Sequence, residues 1–202
     1  MRRLSDVDWS SWQAEIPATL VFVVKDGKIL LIDKKTGIGK GKVNGPGGKI
    51  EKGESAEACA VRECQEELGI TVSNLRYCGE HRFQFVDGLT IHVWVYLTSD
   101  FEGTPTESRE ANPLWVPLND IPYEKMWEDD AIWIPMMLRN EQFSGRWIFD
   151  GDRMLDYELL AEGAGLQGAC RFPQNHLPGD DLICVLSRFV CLLFLRRSAC
   201  FH

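Results

Sequence analysis

The sequence lacks a run of apolar residues long enough to cross a bilayer as a helix, which takes about 20. A late apolar stretch, Leu182 to Leu195, is short and broken by Ser187 and Arg188. Positive charge is in deficit: 22 basic residues stand against 30 acidic ones, a formal net charge of −8. That balance argues against general affinity for nucleic acid or an anionic membrane surface. A cysteine framework is missing too, since the seven cysteines are odd in number and irregularly placed. Cys59, Cys64 and Cys78 lie in the body, and Cys170, Cys184, Cys191 and Cys200 lie late. None has paired metal-ligand spacing, so neither disulfides nor zinc is expected. The opening residues, Met1-Arg-Arg-Leu-Ser-Asp6, carry no apolar signal run. The expectation is a cytoplasmic monomer with reduced thiols and no stable nucleic-acid or membrane partner.

What is present is an ordinary globular composition, 45% hydrophobic and 26% charged over 202 residues. Thr19-Leu-Val-Phe-Val-Val24 and Lys28-Ile-Leu-Leu-Ile-Asp33 read as strands joined by a hairpin at Lys25-Asp-Gly27. Arg82–Val86 and Thr90–Tyr96 flank Asp87-Gly88 in the same way, and Phe143–Phe149 and Arg153–Leu159 flank Asp150-Gly-Asp152. Leu114-Trp-Val-Pro117 is a further short strand. A helix is predicted from Ser55, its cap, to Leu68, with Gly69 at the end; Ala60, Val61, Cys64 and Leu68 form its apolar face. A second is expected from Asp130 to Arg139. Strands dominate, so the fold class is α/β (α+β), a mixed central β-sheet sandwiched between helices. The domain is expected over residues 17–160, after an N-terminal extension at 1–16. The remainder, 161–202, differs in composition and reads as a disordered or loosely docked tail, or as a non-native extension.

The first helix carries an oddity. Glu63, Glu66 and Glu67 stand at i, i+3 and i+4, where like charges repel by about 0.2–0.5 kcal/mol per pair. Two of them sit in the last turn, where the helix dipole disfavours negative charge by roughly 0.3–1 kcal/mol each. A solvated charged face is the ordinary reading of such a cluster. A divalent cation against it removes both penalties, and hard oxygen donors select magnesium, calcium or manganese over zinc. Before the helix, residues 34 to 50 hold Lys34, Lys35, Lys40, Lys42 and Lys49 without an acid. Gly45, Gly47 and Gly48 there let backbone groups approach a ligand closely. In a negative chain this stretch is where a polyphosphate can enter.

Together these residues read Gly48-x5-Glu54-x7-Arg62-Glu63-Cys64-x-Glu66-Glu67-x-Gly69-Ile70. This resembles the Nudix box position by position, with Cys64 in place of a larger aliphatic residue. The resemblance implies a Nudix fold and a Mg2+ cofactor, with Mn2+ able to substitute. Glu63, Glu66 and Glu67 are the implied principal ligands, assisted by the Gly47 carbonyl and Glu110, while Glu54 and Arg62 hold the loop. The general base stays open among Glu66, Glu67 and Glu110.

Further segments are similar to the MutT-homologue branch: Asn44-Gly-Pro-Gly-Gly-Lys49, Phe83-Gln-Phe85, Glu102-Gly-Thr-Pro-Thr-Glu107, Met126-Trp-Glu-Asp-Asp130 and Asp150 to Tyr157. That likeness spans about residues 17 to 159. It implies a nucleoside triphosphate substrate with an oxidised purine, such as 8-oxo-dGTP or 2-hydroxy-dATP, cut to the monophosphate and pyrophosphate. Thr19, Asn44, Phe83, Trp127, Asp129 and Asp130 are then expected to line the base pocket, with Lys34, Gly47 and Gly48 toward the phosphates. Two adjacent aspartates in a closed pocket resist ionising together, so one can hold a proton. The plainer alternative makes Asp129 and Asp130 helix caps and Trp127 a core residue. The competing functions are hydrolysis of another nucleoside diphosphate derivative (ADP-ribose or a dinucleoside polyphosphate) and nucleotide binding without turnover.

Overall fold

The computed structural model describes residues 2–162. The chain enters through one 3-10 turn, Leu4–Asp6, then β1 (Ile16–Lys25) and β2 (Lys28–Lys34), followed by a two-residue strand β3 (Val43–Asn44). Helix α1 (Ala56–Leu68) comes next, and β4 (Thr71–Ser73) leads into the long strands β5 (Arg76–Phe85) and β6 (Thr90–Thr98). After β7 (Asp100–Glu102) and β8 (Ala111–Pro117), helix α2 (Asp130–Leu138) precedes a final hairpin of β9 (Gln142–Asp150) and β10 (Arg153–Glu162).

Eight strands form one mixed sheet in the order β10-β9-β5-β6-β1-β2-β3, with β8 paired to β2. Each hairpin falls at an Asp-Gly pair. At the first, Asp26 and Gly27 both take positive φ, 50° and 71°, as a twist-compatible two-residue turn requires. Two pairings are parallel, β1 with β6 and β5 with β9. A small separate pair, β4 with β7, lies off the main sheet.

Strand periodicity explains the layers. Val21, Val23, Leu30 and Ile32 turn to one face, where they pack with Ala60, Cys64 and Leu68 of α1. Their neighbours Phe22, Ile29 and Leu31 turn to the other, against Trp133, Ile134 and Met137 of α2. The sheet is therefore buried on both sides between two helices. Fully burying each such aliphatic or aromatic side chain contributes about 1.5–3 kcal/mol.

Both helix ends are set locally. Ser55 Oγ accepts from the Ala58 N–H at 3.1 Å, and Gly69 closes α1 in the left-handed region at φ 69°. Val61, expected on the apolar face, is only half-buried, and Cys59 takes a fully buried place instead. Residues ahead of β1 are tied to the domain: the Leu4 N–H donates to Asp156 Oδ2 at 2.8 Å, and Trp12 Nε1 donates to Gln84 Oε1 at 3.1 Å. Strand β10 runs on to Glu162; the rest of the stretch set apart as a tail lies outside the described residues. No helix among the described residues is long and apolar enough to cross a membrane.

Candidate active site

A cavity of about 550 Å³ opens between the glycine loop, α1, the β1–β6–β5 face and α2. That is within the range of small-ligand sites, about 300–1,000 Å³. Of the residues predicted from sequence, Thr19, Lys34, Asn44, Gly47, Gly48, Arg62, Glu63, Glu67, Phe83, Glu110, Trp127, Asp129 and Asp130 all line it. Glu54 and Glu66 do not.

The loop is fixed to the sheet. Thr19 N–H donates to Gly48 O at 2.9 Å, Val21 N–H to Pro46 O at 2.8 Å, and Ile50 N–H to Pro17 O at 2.9 Å. Contact is so close that a Cβ on Gly47, where φ is 153°, would fall 2.1 Å from the Thr19 carbonyl oxygen. One on Gly48 would meet the Glu63 carboxylate at 2.3 Å. At Gly47 the obstacle is backbone, so glycine is required for space; at Gly48 a Cβ would instead push the Glu63 carboxylate off the loop.

At this end α1 delivers its acids. Glu67 is buried, with Oε1 3.0 Å from Lys34 Nζ and Oε2 accepting from the Gly47 N–H at 2.9 Å. Burial raises its carboxyl above the usual range, while Lys34 and the Gly47 N–H oppose that shift. Glu63 is also raised by burial, against the Arg62 guanidinium 2.8 Å away. Arg62 is the hub. It reaches both oxygens of Glu54, at 2.9 and 3.0 Å, and also bonds Glu63, Glu66 and the Lys49 carbonyl. The Arg62 hydrogen bonds hold the Glu54 carboxyl down at about 2. Glu66 is exposed and turned to Arg62, so the three glutamates of one helix side split into two buried and one solvated. Glu110 is exposed, and its backbone carbonyl accepts from the Lys35 N–H.

Among the described residues, no group of three or more acid, histidine or cysteine side chains converges tightly enough to cage a metal. The donor chemistry nevertheless suits a hard divalent cation. Four carboxylates (Glu54, Glu63, Glu66, Glu67) face two cations (Lys34, Arg62), leaving two negative charges, two of the acids being buried. Such a deficit favours proton uptake or a cation.

The opposite end is aromatic. Phe85 and Phe149 pack edge-on against Trp127, at 6.4 and 5.7 Å between ring centroids, and Lys42 Nζ lies 4.7 Å over the Trp127 ring. Asn44 Oδ1 accepts from the Gly45 N–H at 2.8 Å. Thr19 is buried, with Oγ1 3.5 Å from Cys59 Sγ. Asp129 stands at the N-cap of α2 but its side chain makes no cap bond; Oδ2 accepts from Trp133 Nε1 at 3.0 Å, and Oδ1 is buried without a partner among the described residues. Asp130 Oδ2 accepts from the Trp127 N–H at 3.0 Å. Burial pushes both carboxyls up, and for Asp130 its neighbour's charge adds to the effect. A helix cap alone does not account for Asp129.

Three lining or supporting residues were missed in the sequence. His81 shares the sheet face of Phe83 and Phe85, and strand parity was the available signal. Trp133 lies one helical turn beyond Asp129, a spacing at which side chains meet. Cys59, with Sγ 3.4 Å from Lys49 O, gave no sequence signal.

The NUDIX domain matches residues 15–137. The chain is 41% identical over 143 residues to an oxidized purine nucleoside triphosphate hydrolase of Danio rerio, covering 70% of this chain and 92% of that protein. It is 42% identical over 64 residues to an 8-oxo-dGTP diphosphatase of Escherichia coli, covering 32% of this chain and 49% of the relative. In structure it resembles a MutT mutator protein from Bacillus halodurans, with TM-score 0.65, 26% identity, and coverage of 71% and 97%.

Proposed function

Because the chain belongs to the Nudix family of hydrolases, we propose that it cuts oxidised purine nucleoside triphosphates to the monophosphate and pyrophosphate. Its role is then to cleanse the nucleotide pool before damaged bases reach DNA. One observation carries this reading: a single cavity has a glycine-and-carboxylate end and an aromatic end closed by two buried aspartates. The first suits a polyphosphate, and the second a flat base whose edge must be hydrogen-bonded.

Glu63, Glu66, Glu67 and the Gly47 carbonyl, with Glu110 assisting, would hold Mg2+, or Mn2+ in its place, which would supply charge neutralisation at the phosphate oxygens. Lys34 and the Gly48 backbone orient the chain of phosphates. Arg62, locked by Glu54, keeps the loop and α1 in register. Glu67 or Glu66 takes the proton of the attacking water, which strikes the β phosphorus. Trp127 and Phe83 enclose the base, while Asn44, Asp129 and Asp130 read its edge. With one aspartate protonated, the pair can both donate and accept, which suits 8-oxo-guanine and 2-hydroxy-adenine alike. A base with the wrong edge leaves buried polar groups unpaired, and discrimination of this kind is strong.

Pyrophosphate release is the test, measured with magnesium in a competitive panel of 8-oxo-dGTP, 2-hydroxy-dATP, dGTP and ADP-ribose. Preference for the two oxidised purines supports the proposal. Preference for ADP-ribose overturns it, and binding without product makes the chain a nucleotide-binding module.

A further inference from the structure

His81 is completely buried on β5 and lines the cavity beside Phe83, Trp133 and Asp129. Its Nδ1 lies 3.0 Å from Trp147 Nε1. An indole N–H can only donate, so Nδ1 is the acceptor and the ring proton sits on Nε2. Burial pushes the imidazole down to about 3, so it stays neutral at every working pH. Phe143 stacks on the ring at 4.9 Å and 13°, and Trp133 lies 4.8 Å away. The arrangement depends on Gly145, where a Cβ would fall 2.5 Å from Nδ1 and 2.4 Å from Trp147 Nε1. Orientation and tautomer are therefore fixed.

What remains is Nε2–H, a buried donor with no partner among the described residues. Leaving such a group unsatisfied is costly, and native proteins do so rarely. A second orphan, Asp129 Oδ1, belongs to the same cavity, with Trp133 connecting the two residues.

We propose that His81 Nε2–H reads the base at its C6 edge and so ranks the two oxidised purines, placing 8-oxo-guanine, with a carbonyl oxygen there, above 2-hydroxy-adenine, with an amino group. This rests on the proposed oxidised-purine activity and adds a specificity residue to it. A carbonyl accepts from Nε2–H, whereas an amino group sets donor against donor.

The experiment compares 8-oxo-dGMP with its 6-amino counterpart, which replaces the C6 carbonyl by an amino group and the N1–H by a bare nitrogen, by calorimetry without metal. The share of the preference owed to His81 is the share that His81→Phe removes. The native chain is expected to prefer the carbonyl form. His81→Phe keeps an aromatic ring without the N–H; it is expected to weaken 8-oxo-dGMP roughly 5- to 150-fold and to narrow the preference by a like factor. Because a buried substitution can upset folding, the native chain is also labelled with ¹⁵N-histidine. Its Nε2–H resonance should move downfield with 8-oxo-dGMP and not with the amino form. An unmoved resonance, a preference undiminished in His81→Phe, or equal weakening of both nucleotides (a bridging water or packing only) overturns the assignment while leaving the activity standing. If the native chain binds neither nucleotide, the activity itself fails and this assignment falls with it.

Discussion

Lys34 Nζ sits 3.0 Å from Glu67 Oε1 on a glutamate whose side chain is only 1% exposed. A buried pair of this kind is a poor way to gain stability, since desolvation offsets much of the attraction. It makes better sense as a held charge. Lys34 and the Gly47 N–H keep one carboxylate pointed at the glycine loop although burial works against its ionisation.

Glu67→Gln should lower kcat by roughly 10²–10⁴-fold, the range for losing a positioned proton acceptor. The amide has one acceptor oxygen, so it can accept from Lys34 or from the Gly47 N–H and sets its NH2 against the other donor. A loss of about 1–3 kcal/mol is expected with the fold retained, at roughly 2–4 °C in Tm per kcal/mol. Full turnover with magnesium in this variant would remove Glu67 from the mechanism.

Asp129→Asn keeps an acceptor for the Trp133 indole and removes the ionisable group. The expected result is a folded enzyme whose preference for oxidised purines over dGTP falls by about tenfold or more, a 1.4 kcal/mol change in discrimination. Competitive kinetics with both substrates in one tube measures it directly; an unchanged ratio counts against the base pocket described above.

The aspartate pair also predicts a pH dependence. Both carboxyls are raised above the ordinary 3.8 by burial. The folded state therefore binds more protons than the unfolded chain at pH values above 3.8, and stability falls as pH rises through that window. Glu54, held at about 2, acts in the opposite sense, losing its contribution only as acid conditions approach that value. Thermal melts of the metal-free protein from about pH 6.5 to 8 should show a declining Tm; below that window the buried neutral His81 acts in the opposite sense, because the unfolded imidazole takes up a proton that the folded one does not. Asp130→Asn should flatten the slope, and an identical slope in that variant would show that the pair does not titrate as described.

Gly47→Ala brings a Cβ to 2.1 Å from the Thr19 carbonyl oxygen at a φ of 153°. The loop must leave the sheet or the variant must unfold. A loss of activity accompanied by a lowered Tm is expected from melting curves and turnover together. A variant with native values for both would mean that the loop moves freely.

Some elements could be read one residue at a time. Ser55 and Gly69 mark the ends of α1, and Asp26-Gly27, Asp87-Gly88 and Asp150-Gly151 mark three hairpins, because each depends on local chemistry. The start of β5 was less visible: Arg76 to His81 mixes charged, small and apolar residues, and its register shifts between Tyr77 and Gly79. A mixed sheet is legible in the pattern of strands and helices, but which strands run parallel is not, since partners such as Thr19 and Trp94 are far apart in the chain. The site shows the same division. Spacing placed Glu63, Glu66 and Glu67 on one helix, but only the packed sheet decides that Glu66 faces solvent. Likewise, His81 becomes a candidate only when Trp147, distant in sequence, occupies one of its nitrogens.

The three backbone bonds between residues 46–50 and β1 make the glycine loop a part of the sheet in all but name. A one-residue insertion there would slide every carbonyl past its donor and turn Gly48 away from Glu63. New ligand preferences must therefore arise on the far rim, along the lysine-bearing stretch near Lys42 and at the start of α2, while the cutting end stays the same length.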